Sequence, residues 1–508
     1  MGTRLAPAAS VLSDASVDAA RTGVSVRVRN RELQPLQIVL LITLAAGVLR
    51  FATLDVQSVW LDESATIELV RRGFGGMLSH LSSNESTPPL YYVLVWLWTK
   101  LFGVGPLGFR SFSALVGTLT VPALYFAGRE ISPRTGVWAA ALAAVNPATF
   151  YYSQEARSYG LLILFAAGAF VFWQRALERD DGRALAWWAA FSSLDLLTHY
   201  FALFLFVPEA AMLVRRLGAR RTAAPAGVVV LVGVALAPLA LAQRRSGTSK
   251  WIEEASLVSR VGETVKLFLV GLYGPLEVLT GALAGLLALG ALALLLRRGA
   301  PRERSRARDA AIVAASGLAI PLALAAVHAI DVFDGRNVIA AWAPSAVLVA
   351  AGLGARRAGR AGMLLGLGLC AVSLAVVAAT ELIPAYQRDD WRGAAQALGS
   401  AGSGRVIVTE NLGSVPLSIY LGPIRGVYGK RVRTRELDFV GLRVRHTFGS
   451  PSPPAVPTEP PPGFRLAGVE RSEAFAVSRF LASTPTRVSS AALRRMLGEP
   501  HADIVAQR

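Results

Sequence analysis

The sequence predicts an all-α polytopic membrane protein with a small α/β domain near its C-terminal end. Three observations predict it. Hydrophobic residues make up 53% of the chain and charged residues only 17%, against about 25% charged in an ordinary soluble domain. Apolar stretches of membrane-spanning length recur from Leu36 to Thr380, where a soluble chain would break them into amphipathic patterns. From Glu381 onward the composition becomes mixed and largely polar.

The formal net charge of +18 points to cytoplasmic loops rather than to nucleic acid, because the arginines sit in short clusters between apolar spans. The single cysteine, Cys370, lies inside such a span. It excludes an intramolecular disulfide and any cysteine-based zinc cluster. Residues 1–35 show no cleavable signal pattern and read as a cytoplasmic tail, with Arg27, Arg29 and Arg31 ahead of the first span. That span, Leu36–Leu54, is long enough to be an uncleaved anchor. Richness in Ala, Arg and Gly suggests a high-GC bacterial source, and so a bacterial plasma membrane.

Each later element follows from the charge of its flanks. Pro89–Phe102 is an apolar stretch of only 14 residues, short for a crossing, and reads as an interfacial helix on the outer face. Residues 55–108 then form one outer loop. Phe109–Ala127 runs inward, Gly136–Tyr152 outward and Leu161–Trp173 inward. Residues 184–214 go out and return between two basic loops, with a turn near His199. Ala223–Ala242 runs out, Leu276–Leu296 in, Ala310–Ile330 out, Val338–Gly354 in and Ala361–Thr380 out. This order places every strongly basic loop inside and implies about eleven spans. A crossing at Pro89–Phe102 would invert all of it. The G-x-x-x-G spacings Gly281–Gly285 and Gly362–Gly366 suit helix packing. The helix 36–380 region is the transmembrane domain. Residues 381–508 read as an extracytoplasmic soluble domain with a helix at Asp390–Leu398, a buried strand at Arg405–Val408 and an irregular Pro-rich run at Pro451–Pro462.

Under this topology the unusual polar residues gather on the outer side. Asp62 and Glu63 follow Trp60-Leu61 in the first outer loop. Their bland reading is a helix start, Asp62 as N-cap and Glu63 in the first turn. The sharper reading is a general base at the membrane–water boundary, with a divalent cation (Mg or Mn) as a helper held by Asp62 and Glu85. Glu85 precedes Ser-Thr-Pro-Pro-Leu-Tyr-Tyr, where the prolines set the start of the interfacial helix and the tyrosines suit the headgroup level. Arg157 and Arg336 are outer-side arginines at span boundaries, against the positive-inside trend. Each needs an anionic partner: Glu155 beside Arg157, or a phosphate, which guanidinium matches bidentately. Arg244, Arg245 and Lys250 form a third basic cluster. Tyr159, His199 and Tyr200 lie at the same level as substrate-binding candidates. The histidines as a whole show no metal-ligand spacing.

These residues resemble a known family. An outer-loop Asp62-Glu63, then Pro88-Pro89-Leu90-Tyr91-Tyr92, then Ser153-Gln154-Glu155-Ala156-Arg157-Ser158-Tyr159 at the next outer turn is similar to the GT-C glycosyltransferases. The nearest branch holds the protein mannosyltransferases, the aminoarabinose transferases and the RgtA/B/C/D-like proteins. The resemblance covers roughly residues 36–360. It implies transfer of a sugar from a polyprenyl-phosphate donor, usually with inversion, to a glycan, lipid or protein acceptor on the outer side. It implies Asp62 as catalytic base with Glu63 beside it, and basic residues near Arg157 and Arg336 on the donor phosphate. One departure stands out. Many relatives carry a histidine just before Pro-Pro, where this chain has Thr87, which leaves metal or substrate contact at that point open.

Two other classes compete. A transporter or lipid flippase would place ionisable residues near the bilayer midplane. Asp195 is the notable case, with Glu209 and Glu277 nearer helix ends. A non-enzymatic scaffold would act through residues 381–508. The clustering of candidates at outer boundaries favours surface chemistry.

Overall fold

The computed structural model describes residues 27–28, 31–32, 34–179, 181–401, 404–444 and 452–507. The expected cytoplasmic tail, residues 1–35, therefore lies almost wholly outside the described residues. The rest is a helical body followed by a sheet domain. Among the described residues seven helices are long and apolar enough to cross a membrane: Pro35–Ala52, Pro106–Arg129, Tyr159–Arg179, Ala219–Ser246, Glu277–Arg298, Pro301–Ala326 and Gly359–Leu382. Leu90–Phe102 and Ile339–Leu353 are apolar but shorter. The expected hairpin over 184–214 is two short helices, Gly182–Thr198 and Leu203–Leu217, joined through His199 and one 3-10 turn.

Helix ends follow local chemistry. Proline opens Pro35–Ala52, Pro106–Arg129 and Pro133–Val145, where its missing N–H costs nothing. Gly103 ends Leu90–Phe102 at φ 82°, a left-handed value that side chains resist. The expected span Gly136–Tyr152 is broken at Asn146–Pro147. Proline cannot continue the ladder, and the Asn146 side chain accepts from the N–H groups of Ala148 (3.0 Å) and Thr149 (3.4 Å) to start a new helix, Pro147–Ser153. Gln154–Ser158 follows as a short non-helical segment before Tyr159–Arg179.

The core lies where Pro106–Arg129, Pro133–Val145, Tyr159–Arg179 and Trp342–Leu353 pack together. Small residues let these backbones approach. A Cβ on Gly352 would sit 2.0 Å from the Ala291 carbonyl oxygen, and one on Gly366 would sit 2.4 Å from the Trp138 ring. The outer helices show the reverse pattern, with Val234, Leu286 and Leu289 more than 60% exposed. Such a surface suits hydrocarbon rather than water.

The C-terminal domain is a six-stranded mixed sheet in the order Arg425–Gly426, Asp503–Gln507, Arg405–Thr409, Arg431–Leu442, Phe475–Ser489, Arg465–Arg471. Arg405–Thr409 is central and fully buried, parallel to Arg431–Leu442 and antiparallel to Asp503–Gln507. The helix Trp391–Leu398, capped by Asp390 at 2.8 Å, packs on one face.

Candidate active site

The candidate site is assembled from four pieces: the helix Leu61–Arg71, the Pro88-Pro89 turn, the Gln154–Ser158 segment and the loop carrying Arg336. Trp60 is the N-cap of Leu61–Arg71, so Asp62 and Glu63 stand in its first turn, where the helix dipole favours negative charge. Asp62 is not the cap.

These adjacent carboxylates face different surroundings. Asp62 is partly open, its side chain 25% exposed, and its Oδ2 accepts from Arg336 Nη1 at 2.8 Å. Arg336 is braced by Asp334 at 3.2 Å, and its guanidinium lies 4.6 Å from the Trp251 ring centroid. Glu63 is fully buried. Its carboxylate accepts from Arg110 Nε at 2.8 Å and Nη2 at 2.5 Å, from Arg388 Nη1 at 3.3 Å and from the Ala156 N–H at 3.0 Å. Burial alone would raise its pKa; Arg110 and then Arg388 outweigh that and hold it below the usual carboxylate value. All four of these bonds come from protein groups, which sets Glu63 apart from the partly open Asp62.

Arg110 also donates to the carbonyls of Leu54, Gln57 and Ser58 at 2.7–2.9 Å. One buried guanidinium thus fixes the start of the outer loop against the bundle. Its signal in the sequence is an arginine inside the apolar run Phe109–Ala127.

Glu85 and Arg157 form a second buried pair. Arg157 Nη1 reaches both Glu85 oxygens at 2.9 and 3.1 Å and Thr66 Oγ1 at 3.3 Å, while its Nε has no partner. Glu85, not Glu155, is therefore the protein's answer to Arg157. Glu155 is left with a buried Oε2 that makes no hydrogen bond. Burial pushes its carboxyl up to about 7, the Asp62 and Glu63 carboxylates adding to the rise and Arg388 and Arg157 opposing it.

Tyr159 is buried, with its ring 5.0 Å from Tyr152 and 6.2 Å from His199. His199 caps the 3-10 turn, its Nδ1 accepting from the Phe201 N–H at 3.2 Å. Tyr200 points elsewhere. Its hydroxyl donates to Gln243 at 2.8 Å, and Gln243 holds the carbonyls of Leu81 and Thr87, each at 3.0 Å. Tyr200 thus pins the Pro88-Pro89 turn rather than facing the carboxylates. Arg244, Arg245 and Lys250 are exposed around the end of Ala219–Ser246. Asp195 and Glu209 are buried together beside a small cavity between helices.

The residues do not fit the expected metal site. Among the described residues no three His, Cys, Asp or Glu side chains are grouped to hold an ion. Asp62 and Glu85 each carry an arginine instead.

Residues 86–242 match the family described as dolichyl-phosphate-mannose-protein mannosyltransferase. The match begins beyond Asp62 and takes in the Pro88-Pro89 turn, Arg157 and His199. No curated protein matches the chain. Among solved structures, ArnT from Cupriavidus metallidurans bound to undecaprenyl phosphate is 17% identical with a TM-score of 0.44, covering 62% of this chain and 60% of that one. The Archaeoglobus fulgidus oligosaccharyltransferase tethered to an acceptor peptide is 14% identical with a TM-score of 0.43, covering 72% and 57%. The chain thus spans about three fifths of the length of the structures it matches. Through residues 86–242 the chain carries the dolichyl-phosphate-mannose-protein mannosyltransferase pattern, and the resemblance to the GT-C glycosyltransferases read from its motifs stands.

Proposed function

We propose that the protein is a membrane glycosyltransferase that moves a sugar from a polyprenyl-phosphate carrier to an acceptor hydroxyl on the extracytoplasmic face. The observation that carries this reading is the Asp62–Arg336 pair, a partly open carboxylate held by a guanidinium at 2.8 Å. A donor phosphate competes with Asp62 for Arg336, since guanidinium binds phosphate bidentately. Its arrival frees the Asp62 oxygen to accept the acceptor's proton. The acceptor oxygen then attacks the anomeric carbon, the carbon–oxygen bond to phosphate breaks, and the leaving phosphate takes the electron pair. In this reading Arg336 and Arg157, whose Nε has no protein partner, stabilise that charge. A single displacement of this kind inverts the anomeric centre. The matched family acts from a dolichyl-phosphate-linked sugar, a donor of the same chemical class.

The test is transfer from a panel of radiolabelled polyprenyl-phosphate sugars by purified wild type and Asp62→Asn, with native lipid extract and glycans as acceptors. Transfer by wild type and none by the variant is the expected result. Equal transfer by both removes Asp62 from the chemistry. No turnover of any donor by folded protein shifts the reading towards a transporter.

A further inference from the structure

The sheet domain carries a patch of positive charge that the transfer chemistry does not use. Between Glu410 and Glu436 the chain holds five basic residues and no acidic one, and between Glu473 and Glu499 it holds four basic residues and again no acidic one. The fold brings these two stretches together. Arg431–Leu442 pairs antiparallel with Phe475–Ser489, and Arg433 stands directly opposite Arg487. Alternation along the strands buries Val432, Thr434 and Val488 and turns Arg431, Arg433 and Arg487 to one exposed face. Arg435 is exposed at the register break just beyond, and Lys430 in the turn just before.

Like charges directly opposite each other weaken a sheet, and no carboxylate relieves these. Among the described residues none of Lys430, Arg431, Arg433, Arg435 and Arg487 has an acidic partner. Arg433 Nε donates to the Pro485 carbonyl at 3.3 Å, and the nearest acid in sequence, Glu436, takes Arg479 at 3.3 Å instead. The turn ahead of the strand is held firmly: the Ser490 N–H donates to the Lys430 carbonyl at 3.0 Å, and the Ser490 hydroxyl donates to the Gly429 carbonyl at 2.6 Å. From this turn Tyr428 projects 99% exposed. A bare phenol ring beside a row of cations suits a partner that offers both C–H faces and negative charge.

Position decides between a lipid surface and a glycan. The far end of the same strand meets the membrane body, where Arg443 Nη2 donates to the Pro384 carbonyl at 3.1 Å, just past the helix Gly359–Leu382. Arg433 lies ten positions up the chain from Arg443, about 30 Å at about 3.3 Å per residue. Charge is screened over about 8 Å at physiological salt, so headgroups beside that helix end do not reach the patch. An extended anionic chain does.

We propose that this face binds an anionic polysaccharide, its carboxylate or phosphodiester groups on Arg431, Arg433, Arg435 and Arg487 and one of its rings against Tyr428. The surface is separate from the Asp62–Arg336 pair, and it rests on the proposed function only for the side of the membrane on which the domain lies.

Equilibrium binding to the full-length protein in neutral detergent tests it, with fluorescent oligogalacturonate as the carboxylate probe, polyglycerol phosphate as the phosphodiester probe and dextran as the uncharged control. Wild type should bind at least one charged probe and not dextran, with affinity falling as salt rises. Reversal of the pair, Arg433→Glu with Arg487→Glu, should weaken binding at least tenfold. The milder pair Arg433→Thr with Arg487→Thr should weaken it severalfold and unfold at or above the wild-type midpoint, because a like-charge contact is removed; this variant keeps the test readable if the reversal does not fold. The charged probe that binds names the anion. Binding of neither charged probe, or binding unchanged in the threonine variant, overturns the proposal. Binding of phosphatidylglycerol vesicles by a protein that ignores both glycans overturns it in favour of a lipid surface. Glycan binding by a protein that transfers no sugar would leave this surface standing and sink the transfer reading alone.

Discussion

Neutralising Asp62 and Glu63 separately should give opposite phenotypes, although the two residues are neighbours in sequence. Glu63 receives two bonds from Arg110, one from Arg388 and one from the Ala156 N–H, and the side chains of Glu63, Arg110 and Arg388 are at most 2% exposed. Glu63→Gln leaves two guanidiniums buried without their counter-charge, and breaking a buried pair in this way costs about 3–5 kcal/mol. The Asp62–Arg336 pair is about a quarter exposed on each side, so Asp62→Asn should cost at most about 1 kcal/mol. Loss of a general base, by contrast, lowers turnover by about 10²–10⁴. The assay is unfolding in mixed detergent–SDS micelles followed by tryptophan fluorescence, with transfer measured on the same preparations. Asp62→Asn should unfold with wild type and transfer almost nothing. Glu63→Gln should unfold at clearly lower SDS. Equal stability of wild type and Glu63→Gln would refute the assignment of Glu63 to the scaffold, and full transfer by Asp62→Asn would refute the assignment of the base.

Other outcomes follow from the same geometry. Glu155 binds a proton more tightly folded, at about 7, than its ordinary value of 4.5, so the folded state holds more protons between those values and stability falls as pH rises through them. Glu155→Gln should remove that fall, seen as a flatter unfolding midpoint between pH 4.5 and 7. Arg157→Lys loses the two-oxygen grip on Glu85 and the Thr66 contact, and should raise the donor KM about tenfold, or about 1.4 kcal/mol, with kcat reduced less. Gly366→Ala drives a methyl against Trp138 and should destabilise by about 1–3 kcal/mol. Gly285→Ala meets only ordinary contact at 3.6 Å and should be neutral or slightly stabilising.

The helical body was readable because a bilayer demands long apolar runs, and those runs survive in the sequence whatever the helices pack against. The break at Pro147 was harder to see, since apolar residues continue on both sides of it and only the Asn146 cap betrays it. Leu257–Val270 went unread because it is amphipathic and carries Arg260, Glu263 and Lys266. The strand Arg431–Leu442 begins with a clean alternation of exposed arginines and buried Val432 and Thr434, a period-two signal hidden by the domain's heavy basic content. For the site, motif order pointed to Asp62, Arg157 and Arg336, and these residues do gather at one end of the bundle. Pairing was not legible. Arg157 takes Glu85 rather than its near neighbour Glu155, and Glu63 takes Arg110 and Arg388, because partners far apart in sequence are chosen by helix packing and not by spacing. Arg388 lies 325 positions from Glu63, and no local pattern marks it.

The linker after Glu381 also bears on how the chain can be cut or recombined. Arg388 reaches Glu63, the Arg392 N–H donates to Ser58 at 2.9 Å, and the Tyr420 hydroxyl accepts from the Val59 N–H at 2.7 Å. Residues 388, 392 and 420 thus stitch the linker and sheet domain to Ser58, Val59 and Glu63. A truncation at 381 does not remove a passive appendage; it pulls a buried cation out from under the helix that carries Asp62. Chimeras that exchange this domain between related chains should keep residues 381–392 with the membrane body, and match position 420 on the incoming partner. Swaps joined upstream of 381 should lose stability because Arg388 no longer lies against Glu63, whatever the domain's own role.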